Sequence, residues 1–314
     1  MKLISFDRIR ALGISPEIAN EWVAEMISQK ESSVLPAKIS MKYGQDGIFY
    51  NTMPAIIPSL DVAGVKLVNR YPSRTPSLDS QLLLYRLSSG ECLACMDANW
   101  ITAMRTGAVA AHSVSLLARR DFETVGMLGL GNVAAAALDC LLAAFPERHL
   151  TVLLLAYKDQ HERFAARYRK NPNIRFVTES EPSSLLRKSD VVLSAATYFD
   201  KDIAKDEDFP EGQLLVPIHT RGFGNCDLFF DRVYADDTEH VCDFRYFDRF
   251  RFFAEISDVV CGRAEGRTDD RERILVYNIG IAMHDVYFAA KLYEMLKDEA
   301  PTVALNSPAE KFWF

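Results

Sequence analysis

The sequence is poor in the residues that mark fibrous, disulfide-stabilised and membrane-spanning proteins. It has 15 glycines, 13 prolines and 6 cysteines among 314 residues, with no internal repeat or low-complexity linker. No apolar run reaches the roughly 18 residues that a transmembrane helix needs, and the first residues lack the long apolar core of a signal peptide. We therefore expect a cytoplasmic protein without a membrane partner.

The charge balance argues against a polyanionic partner. The chain carries 43 acidic and 36 basic residues, for a formal charge of -7, whereas nucleic-acid-binding domains carry basic patches or stripes. With 49% hydrophobic and 25% charged residues, the chain can bury a large core and is long enough for two domains. A small molecule is the expected partner, and nucleic acid is not.

Cysteine and histidine do not show the spacing of a metal site. Cys92 and Cys95 form one C-x-x-C, which could be a redox pair or half of a zinc site, but no second C-x-x-C or H-x-x-x-H completes it. The pair falls in a predicted strand, where packing is the favoured interpretation. We predict reduced thiols and no bound metal.

The first part of the chain predicts two helices and a sheet. The segment "FDRIRALG" ends in a manner typical of a helix at Gly13, and "SPEIANEWVAEMISQK" has Ser15 as N-cap and Pro16 at its first position. Short β-type runs follow between residues 37 and 94 and predict an antiparallel sheet. The stretch "ANWITAMRTGAVAAHSVSLLA" then has helical spacing.

The second part of the chain alternates apolar strands with helices, which is typical of βαβ units around a parallel sheet. The predicted fold class is α/β: a Rossmann-type doubly wound parallel sheet in residues 119–282, and an α+β domain with an antiparallel sheet in residues 1–118 and 283–314. A last helix is predicted over "YNIGIAMHDVYFAAKLYEML". Because this helix is apolar on most of its surface, we expect it to pack between domains or subunits.

A glycine turn follows the first strand of the predicted Rossmann region. The segment "GLGNVA" fits G-x-G-x-x-A: Gly129 permits a tight turn, Gly131 lets the backbone approach a pyrophosphate, and Ala134 allows close packing of helix on strand. The start of the helix adds unpaired N–H groups and the positive end of its dipole. We predict that a nicotinamide dinucleotide contacts Gly129, Leu130, Gly131, Asn132 and Val133.

The end of the second Rossmann strand discriminates between the two nicotinamide cofactors. A carboxylate there binds the ribose hydroxyls of NAD, whereas a cation accommodates the 2′-phosphate of NADP. Lys158 stands first and Asp159 second, so the signal is mixed, and both could be solvated loop charges. The pattern favours NADP weakly and leaves NAD open.

The order of these motifs resembles the ornithine cyclodeaminase and mu-crystallin family over nearly the whole chain. The segments that carry the resemblance are "AGVKLVNRYP" (63–72), "DANWITAMRTGAVAAHS" (97–113), "LGLGNVAAAAL" (128–138), "SDVVLSAAT" (189–197), "VYADD" (233–237) and "EISDVVCGRAEGRTDDRERILVYNIGIAMHDV" (255–286). Family members act on, or derive from enzymes for, small amino, imino or keto acids beside a nicotinamide. The resemblance implies a substrate-binding first domain, a homodimer formed by its sheet, and cofactor contacts at Ala195, Ala196 and Thr197.

The resemblance assigns two cations to the substrate. Lys66 in "GVKLVN" matches the family lysine beside the substrate α-carbon, and Arg105 in "MRTG" matches the arginine that binds the substrate carboxylate. A guanidinium offers a planar fork to a carboxylate, and a partly desolvated ammonium can exchange protons with a reacting nitrogen or oxygen. Without the family, both would more often be surface charges.

Two further positions match the family less well. Lys38 stands where the family commonly has a second carboxylate-binding arginine, and lysine keeps the charge but loses the fork; a solvated strand residue is the equal alternative. Gln81 matches a polar position that lines the family's site, although Leu82 replaces the usual small residue after it. The bulkier neighbour would narrow the pocket.

The largest departure lies in the segment "IHTRGFGNCDLFF". The family's cyclodeaminases carry an aspartate there that handles the substrate amine, but this chain has His219 and Arg221, and Asp227 comes several residues late. Arg221 would repel an ammonium and attract a carboxylate, so an acidic substrate is favoured, with His219 or Lys66 supplying the proton. The alternatives are a histidine bonded to backbone and an exposed arginine.

Three functions remain open at this point. The leading hypothesis is an NAD(P)-dependent oxidoreductase that moves a hydride at the α-carbon of a small amino, imino or keto acid. The second is a cyclodeaminase whose acid comes from elsewhere, such as Asp227. The third is a mu-crystallin-like protein that binds a small ligand and catalyses nothing.

Overall fold

The computed structural model describes residues 1–44, 47–196, 201–218, 222–304, 308 and 310–311. Two compact units are present: Met1–Gly13, Glu31–Ile101 and Ala282–Phe314 form the first, and Ile14–Lys30 with Thr102–Ile281 form the second. The sequence places residues 14–30 and 102–118 in the first domain, whereas in the structure they group with the second unit. The reason is that both segments are helical and pack on the helices of the parallel-sheet region.

The first unit is built on a six-stranded sheet. Its strands are β1 (Lys2–Ile4), β2 (Ile39–Tyr43), β3 (Ile48–Ile57), β4 (Val62–Arg70), β5 (Leu78–Arg86) and β6 (Cys92–Asp97), in the order β1-β6-β5-β4-β3-β2. The five strands from β2 to β6 pair antiparallel, as predicted. The edge strand β1 was not predicted and pairs parallel to β6, so the sheet is mixed. Three residues are too few to show a strand period.

Two helices belong wholly to the first unit. The short α1 (Phe6–Ala11) is followed by Gly13 at φ +62°, the left-handed conformation expected at the end of a helix. The last helix, α8 (Ala282–Leu296), packs across β3, β4 and β5. It begins five residues later than predicted, and its apolar surface is explained by the sheet of its own unit.

The second unit is a parallel α/β layer structure. Its elements are α2 (Pro16–Ile27), most of α3 (Asn99–Leu117), β7 (Thr124–Leu128), α4 (Asn132–Ala144), β8 (Leu150–Leu155), α5 (Gln160–Arg167), β9 (Ile174–Glu179), α6 (Pro182–Arg187), β10 (Val191–Ser194), β11 (Leu214–Pro217), β12 (Arg232–Ala235), β13 (Phe253–Glu255), α7 (Ile256–Val260) and β14 (Ile274–Tyr277). The strand order is β13-β12-β14-β11-β10-β7-β8-β9, and all pairings are parallel. The prediction of a doubly wound parallel sheet is confirmed.

The strand order shows where this sheet can bind a ligand. The chain runs outward from β7 to β9 on one side and returns to β10 on the other side of β7, so the order reverses between β7 and β10. In open α/β sheets, ligands bind outside the carboxyl ends of the strands at such a reversal. Neither β13 nor β14 was predicted from the sequence: β13 has only three residues, and β14 runs directly into the segment that we expected to be the last helix.

Glycine sets the distance between two helices of the second unit. A β-carbon on Gly107 of α3 would lie 2.5 Å from the carbonyl carbon of Ala136 on α4, so only glycine allows this approach. The helix α2 also packs on α4, and its N-cap Ser15 accepts a hydrogen bond from the Ile18 N–H, as predicted. Within the described residues, no helix combines the length and apolarity needed to cross a membrane.

Candidate functional site

The glycine turn joins β7 to α4 at the reversal of strand order. Gly129 has φ +79°, and a β-carbon there would lie 2.5 Å from the backbone nitrogen of Ala196. Gly131 is the N-cap of α4, and a β-carbon on it would meet nothing within 4 Å. Ala134 is buried. Gly129 is therefore required by the protein's own packing, whereas the space beside Gly131 is open to a ligand.

The residues around this turn fit a dinucleotide phosphate. Gly131 provides no side-chain cap to α4, and the N–H groups in the first turn of a helix have no acceptor within the helix. The Ala195 N–H donates to the Leu128 carbonyl at 2.7 Å, which holds the chain after β10 beside the turn. The structure thus brings Ala195 and Ala196 to the glycine turn; Thr197 lies outside the described residues.

The segment after β8 carries the residues predicted to choose between NAD and NADP. Lys158 is exposed and has φ +50°, a left-handed conformation that is uncommon outside glycine. Asp159 is also exposed and precedes α5 as its N-cap. Its carboxylate lies 3.7 Å from the Arg163 guanidinium, one helical turn further on. Asp159 therefore follows an exposed lysine in the sequence and lies near an arginine in space.

Arg105 lies on α3 and is 5% exposed. Its guanidinium packs on the backbone of Gly280, where a β-carbon would lie 3.0 Å from Nη2 and 3.1 Å from Cζ. Gly280 has φ +92°, and its N–H donates to the carboxylate of Asp236, the residue after β12. Gly280 and Asp236 lie in segments that carry the family resemblance, but no function was predicted for either residue.

Lys66 lies on β4 in the first unit, and its side chain is fully buried. Its Nζ donates to Oδ1 of Asp285 on α8 at 2.6 Å, and Asp285 is fully buried as well. The family resemblance predicts a role for Lys66 but none for Asp285. The available signal was an acidic residue inside a helix that is otherwise apolar on most of its surface.

The two weaker substrate candidates lie in different surroundings. Lys38 is half-buried immediately before β2. Gln81 is exposed, and its amide donates to the Asp79 carboxylate at 3.0 Å. In the β4–β5 register, Lys66 pairs with Leu82 and Leu67 pairs with Gln81. Since paired residues share a face, Leu82 is on the face of Lys66 and Gln81 is on the opposite face.

Comparison with known proteins identifies the family. The model of the ornithine cyclodeaminase/mu-crystallin family matches residues 17–300. The chain belongs to this family. It is 27% identical to the nodulation efficiency protein NfeD of Rhizobium meliloti over 83% of each chain. It is 26% identical to the alanine dehydrogenase of Archaeoglobus fulgidus over 83% of this chain and 84% of that one.

The fold of this cyclodeaminase/mu-crystallin family member is shared with solved structures. One is the Delta(1)-pyrroline-2-carboxylate reductase of Thermococcus litoralis in complex with NADH and L-proline, which is 23% identical and superposes with a TM-score of 0.84. The match covers 96% of this chain and 100% of that one. The α/β class and the family membership expected from the sequence are confirmed.

The segment in which the family member departs from cyclodeaminases is described only in part. His219 and Arg221 lie outside the described residues. Asp227 is 2% exposed, and its Oδ1 accepts a hydrogen bond from the Tyr277 hydroxyl at 2.5 Å. Burial raises the pKa of Asp227 to about 6, although the Tyr277 hydrogen bond opposes the shift. Asp227 therefore has a partner inside its own unit.

Thiols and metal-binding groups of the family member are dispersed. Cys92 and Cys95 are half-buried on β6, and both are free thiols. Burial raises the pKa of Cys95, so its thiolate is disfavoured. Among the residues that the structure describes, no three histidine, cysteine or acidic side chains are grouped so as to hold a metal ion.

Proposed function

We propose that this family member is an NAD(P)-dependent oxidoreductase that transfers a hydride at the α-carbon of a small amino, imino or keto acid. The observation that carries the proposal is the buried Arg105, which lies in the same unit as the open glycine turn. Two residues further along α3, Gly107 packs directly on α4, the helix that begins at that turn. The proposed carboxylate-binding residue, Arg105, and the proposed phosphate-binding turn are thus carried by α3 and α4, two helices that pack directly against each other.

Each cation has a separate task in the proposed reaction. The Arg105 fork binds the substrate carboxylate and orients the α-carbon. The Lys66 ammonium gives a proton to the substrate nitrogen or oxygen during reduction and accepts one during oxidation. The bound nicotinamide supplies or accepts the hydride. The names of the similar alanine dehydrogenase and pyrroline-carboxylate reductase support this chemistry.

Further residues complete the proposed substrate and cofactor sites. Arg221 binds a distal carboxylate of the substrate, His219 is the alternative proton donor to Lys66, and Lys38 is a further substrate contact. Gln81 is not retained as a substrate contact, because it lies on the face of the sheet opposite Lys66. The cofactor is held by Gly129, Leu130, Gly131, Asn132, Val133, Ala195, Ala196 and Thr197. NADP is preferred over NAD, because the exposed Lys158 directly precedes Asp159 and the Asp159 carboxylate lies 3.7 Å from the Arg163 guanidinium.

We also propose that the first unit contributes Lys66 and Lys38 to substrate binding and forms a homodimer in the cytoplasm, and that the second unit contributes Arg105 and binds the dinucleotide. Support for the dimer comes from the face of the sheet opposite α8. Val65, Leu67 and Leu83 on that face are only half-buried, and Leu3 at its edge is 40% exposed. Such a contiguous apolar face is typical of a surface that a second subunit covers.

The test begins with fluorescence titration of the purified protein with NADH and with NADPH. A screen of imino acids, and of keto acids with ammonia, then follows consumption of the reduced nicotinamide. Arg105→Ala should lower kcat/KM about 100-fold through loss of a charge-assisted bidentate contact, while the surface variant Arg120→Ala of the same unit should match the wild type. Arg120 is exposed.

Three outcomes would contradict the proposal. If neither NADH nor NADPH bound, the protein would not use a nicotinamide cofactor. Nucleotide binding without turnover of any substrate would favour a ligand-binding protein of the mu-crystallin type. Formation of a cyclic amino acid from a diamino acid, with no net change in the nicotinamide, would identify a cyclodeaminase.

A further inference from the structure

We propose that Asp285 is the positioning residue for Lys66: it holds the lysine side chain, charged and in one orientation, in the interior of the first unit. The inference rests on the proposed function, in which Lys66 Nζ exchanges a proton with substrate. It concerns a residue on α8 that contacts Lys66 and no reacting atom in the proposed reaction. Its evidence is the buried ion pair and the packing that creates it.

The packing of α8 on β4 brings the pair together. Gly64 lies two residues before Lys66, on the same face of β4, and a β-carbon there would lie 2.9 Å from Cγ2 of Val286. The absence of a side chain at Gly64 therefore lets α8 approach the strand closely. Asp285 precedes Val286 on the helix, and this approach places its Oδ1 2.6 Å from Lys66 Nζ.

Apolar side chains lie beside Lys66 on the sheet, and the Asp285 carboxylate opposes their effect on the lysine charge. Met53 on β3 and Leu82 on β5 are the register partners of Lys66, so they share its face of the sheet, and both are buried apolar residues. Apolar burial disfavours the charged form of a lysine, and a carboxylate in hydrogen-bond contact favours it. His284, the residue before Asp285, is also buried on α8.

For the reaction, the ion pair means that Lys66 Nζ keeps its position and that the proton it gives to the substrate can be restored. When an N–H bond of Lys66 breaks and the proton forms a bond to the substrate nitrogen, Lys66 is left as a neutral amine. Asp285 remains its acceptor, so Nζ keeps its place and is charged again by a proton from water. Without the Asp285 carboxylate, the Lys66 ammonium would have to be desolvated and oriented in every turnover. This would slow proton transfer to the substrate but would not weaken substrate binding.

The first experiment compares Asp285→Asn with Val286→Ala. Asparagine keeps the size of the side chain and removes its charge; the alanine variant loosens the same contact of α8 with β4 and leaves the ion pair. We expect kcat to fall about 100-fold in Asp285→Asn, with KM and the dissociation constant of NADPH unchanged. Val286→Ala should melt at a lower temperature and keep the wild-type kcat. Equal losses of kcat in both variants would reduce Asp285 to a packing residue and overturn the proposal.

A second experiment needs neither substrate nor cofactor. In protein labelled with 15N-lysine, the Lys66 side-chain nitrogen is assigned from the signal that is lost in Lys66→Met. We expect an ammonium signal in the wild type and an amine signal in Asp285→Asn at the same neutral pH. An ammonium signal in both proteins would overturn the proposal. If the signals differ as expected while the wild type turns over no substrate, the proposed function fails and the effect of Asp285 on Lys66 stands.

Discussion

The guanidinium of Arg105 rests on the backbone of Gly280, which has φ +92° and donates its N–H to Asp236. Three separate segments of the second unit therefore meet at the proposed carboxylate-binding group: α3, the residue after β12 and the turn before α8. The turn leaves the space that the guanidinium fills. The orientation of Arg105 thus depends on a residue that has no side chain.

Gly280→Ala should displace Arg105 and weaken substrate binding. The new methyl group would stand 3.0 Å from Nη2 and 3.1 Å from Cζ, so the guanidinium has to move, and a loss of its bidentate contact raises KM about 10- to 100-fold. Steady-state kinetics with the substrate found by the screen would measure this. NADPH affinity should not change.

Gly262→Ala is the matched control for this variant. Gly262 has φ +71°, and a β-carbon there meets nothing within 4 Å, so the substitution imposes the backbone strain without a clash. Both variants should lose stability, by about 1 kcal/mol or more, but only Gly280→Ala should raise KM. A wild-type KM in Gly280→Ala would show that Arg105 does not bind the carboxylate.

Gly129 and Gly131, the two glycines of the turn between β7 and α4, should respond to alanine in opposite ways. Gly131→Ala meets no protein atom within 4 Å, so the fold should keep its melting temperature, while the methyl group obstructs the pyrophosphate and raises the dissociation constant of NADPH about tenfold or more. Gly129→Ala combines φ +79° with a β-carbon 2.5 Å from Ala196 and should lose about 2–4 kcal/mol of stability. Urea unfolding and fluorescence titration measure the two effects. Unchanged NADPH affinity in Gly131→Ala would be incompatible with a pyrophosphate at this turn.

The glycine turn could be predicted from the sequence because its determinants lie within six consecutive residues. The helix N-cap Ser15 and the alternation of strands and helices are local in the same sense. The edge strand β1 is also local, but its three residues are too short to show a period. The fold class and the glycine turn could therefore be predicted from local patterns.

The parts of the site that the sequence did not reveal depend on contacts between distant segments. Lys66 and Asp285 are 219 residues apart, and no periodicity relates β4 to α8. The face of Gln81 depends on the β4–β5 register, in which a shift of one residue exchanges Gln81 with Leu82. The family resemblance supplied Lys66 and Arg105, but their anchors Asp285 and Gly280 emerge only from the three-dimensional packing.

Lys158→Ala should separate the two nicotinamide cofactors. Lys158 is exposed and directly precedes Asp159 in the segment after β8, where the ribose of a bound dinucleotide is expected to lie. Loss of one charged contact to a 2′-phosphate should weaken NADPH about tenfold and leave NADH unchanged. Lys170→Ala removes another exposed lysine of the same unit and serves as control. Equal effects of Lys158→Ala on NADH and NADPH would refute a contact with the phosphate.

The buried Asp227 should make stability depend on pH in a direction opposite to that of a salt-bridged aspartate. Burial raises its pKa in the folded protein from 3.8 to about 6, so between these values the folded state binds a proton that the unfolded state has released. Stability must therefore fall as pH rises through this window and level off above about pH 6, by about 3 kcal/mol in total.

Asp227→Asn isolates this contribution from those of other groups. Asparagine does not titrate and can still accept a hydrogen bond from the Tyr277 hydroxyl. The difference in unfolding free energy between wild type and variant, measured by urea denaturation from about pH 4 to about pH 8, should follow a single titration in which the wild type loses stability as pH rises. A difference that is constant over this range would mean that the pKa of Asp227 is unshifted in the folded protein, and one that grows in favour of the wild type would mean that its pKa is lowered. Either result would contradict the effect of burial and leave Asp227 as an ionised carboxylate at neutral pH.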